Sequence, residues 1–143
     1  MSLPPHPDQP SAISAAQAEA RLRAVRTAVL QLHKVLIDTE RVRYEQSRGK
    51  IESSHHALQL LMQDSFFAWL RPLAQLIVQL DEWLFDDKLR SPDDLAMLID
   101  QVRRLLNGQV AGEVFHAEYR RALQDSPEVV VAAGRVAAVL VKS

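Results

Sequence analysis

The sequence predicts an all-α protein: a single-domain helical bundle of five to six helices, with a long N-terminal helix and a buried central helix kinked at a proline. Two observations lead to this fold class. Of the 143 residues, 48% are hydrophobic and only 4 are glycine, and good helix formers such as Ala, Leu, Gln, Arg and Glu dominate. The apolar residues also recur every three or four positions, which is the spacing of one helical face.

The first predicted helix follows a proline-rich start. Four of the first ten residues are proline, so we expect 1–10 to be a disordered lead-in and 11–143 to form one domain. Either Ser11 or Ser14 can cap the helix, and Gly49 is suited to end it. Its core face is apolar at 3-4 spacing, at Leu22, Val25, Val29, Leu32 and Leu36.

The middle of the chain carries the most apolar stretch. A short second helix is predicted after a cap at Ser53 or Ser54, and Asp64 can cap the helix that follows. Fourteen of the twenty residues in 66–85 are apolar, and a helix that is apolar on most sides is buried on most sides. This segment is therefore the predicted central helix, and Pro72 should kink it because proline lacks a backbone donor.

Ser-Pro pairs mark the starts of two later helices. One pair, at 91–92, is followed by two aspartates, and another, at 126–127, is followed by a glutamate. Both patterns combine a capping hydroxyl, proline in the first helical position and acids near the positive end of the helix dipole. An Asn-Gly pair at 107–108 is suited to end the fourth helix. A fifth helix is predicted over about 110–123.

The last predicted helix is apolar on almost all sides. Its body, 129–141, is interrupted only by Gly134 and Arg135. The sequence leaves two alternatives open. Either the first, fourth and fifth helices cover this segment within one chain, or an apolar face remains that self-association covers. In the second case Ala133, Gly134 and Ala137 would permit a close approach of helices.

Composition narrows the function classes. With no cysteine, the chain has neither a thiolate metal site nor a cysteine nucleophile. A formal net charge of −1 gives no field that favours nucleic acid. No apolar run reaches the roughly 18–20 residues of a membrane span, and no signal-peptide pattern is present, so we expect a cytoplasmic protein. Phosphate-binding loops, nucleophile elbows and zinc-protease motifs are absent, which makes an enzyme less expected without excluding one.

A metal ion is one alternative function, although the sequence predicts no resident cofactor. Glu113 and His116 are three residues apart, so both side chains share one helical face. Carboxylate-bridged di-iron bundles use this Glu-x-x-His spacing on two helices, and this chain offers one convincing copy. His33 and Glu40, seven apart on the first helix, are the further candidate ligands.

A small-molecule pocket beside the proline kink is the second alternative. Phe66, Trp69 and Trp83 would line it beside Pro72, although aromatic residues at helical spacing also serve as ordinary core. Asp81 lies on the apolar side of the same helix. It is either an acid of that pocket or the partner of an arginine on the first helix, since an unpaired buried carboxylate is costly.

One segment has a recognisable pattern. Residues 67–73 read Phe-Ala-Trp-Leu-Arg-Pro-Leu and continue through Leu-Ile-Val at 76–78 to Asp-Glu at 81–82. With Val-Arg-Tyr-Glu at 42–45 upstream, the pattern resembles a segment of uncharacterised bacterial all-helical proteins. The resemblance implies a bacterial source, and it carries no activity, ligand or catalytic residue.

These observations rank three hypotheses. The first is a non-enzymatic helical bundle that acts through protein-protein contacts, including a homodimer. The second is a metal-binding bundle of the di-iron kind, and the third is a small-molecule pocket at Pro72. We expect a protein partner or self-association, with no nucleic acid and no membrane span.

Overall fold

The computed structural model describes residues 12–85, 92–109 and 112–141 and confirms the all-α fold, since these residues form six α-helices and one short 3₁₀ helix without any strand. The predicted lead-in at 1–10 and the predicted cap at Ser91 lie outside these ranges. The α-helices are α1 (Ala12–Arg48), α2 (Ser54–Gln63), α3 (Arg71–Phe85), α4 (Pro92–Leu106), α5 (Gly112–Asp125) and α6 (Pro127–Val141), and the 3₁₀ helix (Ser65–Leu70) lies between α2 and α3.

Local sequence signals set several helix ends. The side chain of Ser53 accepts a hydrogen bond of 3.0 Å from the backbone N–H of His56 and so caps α2. The hydroxyl of Ser126 accepts one of 3.4 Å from the backbone N–H of Val129 at the start of α6. Gly49 follows α1 with a φ of 104°, a conformation that glycine adopts without steric cost. These three predicted boundaries are confirmed.

The other helices pack around α1. This helix contacts α3, α4, α6 and the 3₁₀ helix. Its long apolar stripe belongs to the hydrophobic core that these helices share. The stripe consists of Leu22, Val25, Ala28, Val29, Leu32 and Leu36, all of them buried.

The apolar segment after Asp64 is less enclosed than its composition predicts. The inner side of α3 is buried through Leu73, Ile77 and Leu80, but Val78 and Phe85 are 55% and 66% exposed. The most central position belongs instead to α1, which has 37 residues against 15 in α3. The longer helix offers enough surface for several neighbours to pack on at once.

Pro72 lies at the start of α3, where the 3₁₀ helix gives way to an α-helix. Arg71 keeps right-handed helical angles, with φ −58° and ψ −41°, so the chain stays helical across the junction. Proline is tolerated here because the first turn of an α-helix has no acceptor for its backbone donors. The segment predicted as one helix kinked at Pro72 is thus a 3₁₀ helix followed directly by an α-helix, with Pro72 in the first turn of the α-helix.

α6 packs on one side against α1 and α5. Near its end, Arg21 of α1 and Arg103 of α4 donate hydrogen bonds of 3.1 and 3.5 Å to the backbone carbonyl of Leu140. Cations at this position also complement the negative end of the helix dipole. Across the described ranges, no helix combines the length and the apolar character that crossing a membrane requires.

Candidate protein-docking surface

α6 has two apolar faces, and the bundle buries one of them. Because successive residues turn about 100° around a helix, residues three, four and seven apart fall on the same side. The buried side consists of Val129, Ala132, Val136 and Leu140. The opposite side, which we call the outward face, consists of Pro127, Val130, Val131, Gly134, Ala137, Ala138 and Val141, all exposed.

The outward face contains no charged side chain. Its three valines are well exposed: Val130 by 51%, Val131 by 55% and Val141 by 82%. A surface helix of a soluble protein normally presents polar residues on the side opposite the core. This face therefore resembles the buried side of a helix that packs against a second partner.

The charged residues of α6 lie along one edge of the outward face. Glu128 and Arg135 are exposed, seven residues apart, and they line a groove of about 350 Å³ between α1 and α6. Gln31 and Val35 form the α1 wall of this groove. The hydroxyl of Ser126 donates a hydrogen bond of 3.0 Å to the carboxylate of Glu128. The face is therefore apolar in its centre and polar along the edge next to α1.

Gly134 lies in the middle of the outward face and is exposed. A Cβ added to it would meet no atom within 4 Å, and its φ lies outside the left-handed region. Glycine inside a helix costs roughly 0.5–1 kcal/mol relative to alanine. Neither the backbone angle nor the packing around this position therefore requires glycine.

A second cluster lies inside the bundle around Glu40, one of the candidate metal ligands. The Glu40 side chain is 0% exposed. Its carboxylate accepts hydrogen bonds from the guanidinium of Arg121 and, at 3.1 Å, from that of Arg43. The indole N–H of Trp69 donates to the same carboxylate at 3.4 Å. Glu40 thus connects α1 with α5 and the 3₁₀ helix.

Two carboxylates, those of Glu40 and Glu118, stabilise the charged form of Arg121. Burial alone would lower the pKa of Arg121, but hydrogen bonds and attraction from Glu40 and Glu118 outweigh it and hold the pKa above its usual value. The Arg121 guanidinium donates to Glu118 at 3.1 Å and to Asp125 at 3.4 Å. The cluster is an ion-pair network of partly exposed side chains around one buried carboxylate, and a buried carboxylate with such partners is satisfied without a metal.

The structure does not bring the four candidate metal ligands together. Glu40 belongs to the ion-pair network, and His33 is half-buried on α1, where burial lowers its pKa. His116 packs against Gly108, and Glu113 is exposed at the start of α5. Among the described residues, no group of three or more His, Asp or Glu side chains could hold a metal ion. Metal binding stays a prediction, and the four candidate ligands do not form one site.

The candidate pocket residues line two separate grooves. Phe66 and Trp69 line a groove of about 380 Å³ beside Arg43 and Glu118. Trp83 lines another of about 250 Å³ between α3 and α4. Pro72 lines neither of them.

Asp81, the remaining pocket candidate, forms an ion pair with an arginine of α1. Its carboxylate accepts a hydrogen bond from Arg26, and both side chains are about a third exposed. Of the two alternatives that the sequence leaves for Asp81, the structure shows the pairing with the first helix.

Sequence reasoning missed the partners of Glu40. Arg121, Glu118 and Arg43 carry no motif, and they come together only when α5 packs beside α1. A signal for Glu40 itself was present, because it lies four residues after Leu36 and so continues the buried stripe of α1. A carboxylate in phase with a core stripe predicts a buried cation partner.

Comparison with known proteins supplies no relative from which a function could be carried over. The chain matches no protein-family model, no curated protein and no solved structure. The function must therefore be argued from the geometry of the chain itself.

Proposed function

We propose that the protein acts through protein-protein contacts, without a catalytic step, and that the outward face of α6 is its docking surface. The observation that carries the proposal is a continuous apolar face on the solvent side of a helix whose other side belongs to the core. Contiguous exposed apolar surface is typical of interaction sites in soluble proteins.

Covering this face would release a substantial free energy. Burying one exposed aliphatic side chain is worth about 1.5–3 kcal/mol. Val130, Val131 and Val141 are the side chains that would contribute most, since all three are more than half exposed. No charged group on the face would have to lose its hydration, so this gain carries no opposing cost of the kind that buried ions impose.

The shape of the surface favours a helix as the occupant. Gly134, Ala137 and Ala138 form its low middle part, where a second helix could approach closely. Stable complexes bury roughly 1,200–2,000 Å² in total, so the contact must extend beyond α6. The adjoining groove with Gln31 and Val35 provides that extension on α1.

Two matched substitutions test the docking surface. Val131 on α6 and Val78 on α3 are both exposed valines in helices, each by 55%. Val131→Glu should abolish docking because it introduces a charge into the apolar face, and Val78→Glu should not. The tagged protein would be expressed in the organism from which the sequence comes. The mass of the native species that contains it in the cell extract would then be measured by size-exclusion chromatography.

The expected result is a species heavier than the 16.1 kDa chain for the wild type and for Val78→Glu, and a shift to the mass of the single chain for Val131→Glu. Circular dichroism would establish that both variants keep their helix content. A wild-type chain that migrates as a monomer, or an equal response of the two variants, would overturn the docking role.

A further inference from the structure

We infer that the occupant of the outward face is a second copy of this chain, with the two α6 helices antiparallel and related by a two-fold axis at Gly134. The inference rests on the proposed docking function and goes beyond it by naming the partner and its register. Two-fold dimers use the same patch on both subunits, so that patch must be complementary to itself. The outward face of α6 meets this requirement in three ways.

The first is the order of large and small residues. Val130 and Ala137 are seven residues apart, and so are Val131 and Ala138. The midpoint of each pair lies half a residue from Gly134, on one side for the first pair and on the other side for the second. A two-fold axis at Gly134 therefore brings each valine to within one residue step, about 1.5 Å along the axis, of the level of an alanine on the other chain.

The second is packing density. In the antiparallel arrangement, Val130 and Val131 each meet an alanine of the other chain, and the two glycines face each other where the backbones come closest. A parallel arrangement would set Val131 against the partner's Val131 and Ala138 against the partner's Ala138. The valines would hold the helices apart and leave voids between the alanines, which close-packed interfaces avoid.

The third is charge. A two-fold axis perpendicular to antiparallel helices places like edges side by side, so the edges that carry Glu128 and Arg135 meet. Glu128 then lies five residue steps, about 7.5 Å along the axis, from the partner's Arg135, within reach of these long side chains. A parallel pair would instead set this charged edge against the uncharged edge with Val130 and Ala137.

The absence of native cysteine makes the register directly testable. The full-length variants Val131→Cys and Ala138→Cys would be purified separately, and each would be oxidised alone and in an equimolar mixture. A disulfide needs the two Cα atoms within about 7 Å of each other. Both positions are exposed on the outward face, so neither substitution disturbs the core, and circular dichroism checks the fold.

The antiparallel register predicts a covalent dimer in the mixture, formed between one chain of each variant and identified by mass. Neither variant alone should crosslink efficiently, because the two copies of position 131 are about 9 Å apart along the axis, and those of position 138 are about 12 Å apart. Rapid dimerisation of each variant with itself would overturn the register in favour of a parallel pair. If no sample forms a crosslink, or if all three samples crosslink equally, the proposal that two copies pair through this face would be overturned.

These outcomes are distinguishable from a failure of the docking role. A purified chain that neither crosslinks nor dimerises, but is still part of a heavier species in host extract that Val131→Glu abolishes, would refute the second copy as the occupant. The docking surface would then stand with a different partner. A wild type that is monomeric both in the extract and in purified form would refute both proposals.

Discussion

The guanidinium of Arg121 on α5 donates a hydrogen bond to the carboxylate of Glu40, a side chain of α1 with no exposed surface. The two residues are 81 positions apart in the chain, so the contact joins helices that are distant in sequence. The guanidinium of Arg43 and the indole N–H of Trp69 also donate hydrogen bonds to this carboxylate. The carboxylate of Glu40 therefore links α5 and the 3₁₀ helix to the N-terminal helix through buried polar contacts.

Removing the cation should strongly destabilise the fold. Arg121→Met leaves the Glu40 charge buried with fewer partners, and breaking a buried ion pair in this way costs about 3–5 kcal/mol. We expect a value near the lower end, because the Arg121 side chain is 25% exposed and Arg43 still donates to Glu40. Urea unfolding followed by circular dichroism measures the change.

The double variant Glu40→Leu with Arg121→Met is the matched control. It removes both charges and fills the site with apolar groups, so most of the lost stability should return. A double variant as unstable as Arg121→Met alone would show that the loss came from packing and not from the unpaired carboxylate.

The fold should lose stability below neutral pH through His33. Burial lowers the pKa of His33 from 6.5 in the folded chain, so the unfolded chain takes up the proton first as the pH falls. The contribution of this residue is therefore complete above about pH 6.5 and declines as the pH falls below that value. His33→Gln should flatten the dependence of the unfolding free energy on pH in this range. A His33→Gln curve parallel to that of the wild type would contradict the assignment.

Tyr119 should resist alkaline titration. Burial raises its pKa from 10.0 to about 12, and its side chain packs on the ring of Phe115 with centroids 5.8 Å apart. Its neutral form favours folding, so this contribution is complete below pH 10 and is lost as the pH rises towards 12. Ultraviolet titration should show a late component that Tyr119→Phe abolishes. A titration curve unchanged by Tyr119→Phe would refute this.

Two glycines should respond in opposite ways to alanine. In the Val131→Glu background, which we expect to be monomeric, Gly134→Ala should raise the free energy of unfolding by about 0.5–1 kcal/mol, because the added methyl group meets no neighbour and alanine favours helix. Gly108→Ala should lower it, because Gly108 has a φ of +78° and an added Cβ would collide with the imidazole of His116. A loss of stability in Gly134→Ala would show that one chain alone requires the glycine.

The sequence predicts the fold well where the signal is local. The helix ends at Ser53, Gly49 and Ser126 depend on hydrogen bonds and backbone angles within a few residues, so they can be predicted without knowing the tertiary contacts. The 3-4 spacing of α1 likewise predicts its buried stripe. The central position of α1 could not be predicted in this way, because it depends on which helices pack together.

The candidate site was only partly predictable, for the same reason. The apolar composition of α6 shows that it has more apolar surface than one core contact needs, but not which side the bundle buries. That choice depends on the packing of α1 and α5, which covers Val136 and leaves Val131 exposed. The ion pair of Glu40 could not be predicted either, because its partner Arg121 lies on a helix that is distant in sequence.

The most direct test of the central claim is the mass of the purified full-length chain, measured by light scattering over a range of concentrations. The account predicts twice the 16.1 kDa of a single chain for the wild type and for Val78→Glu, and 16.1 kDa for Val131→Glu. A wild type that stays at 16.1 kDa at every concentration would contradict the claim that a second copy of this chain covers the outward face of α6.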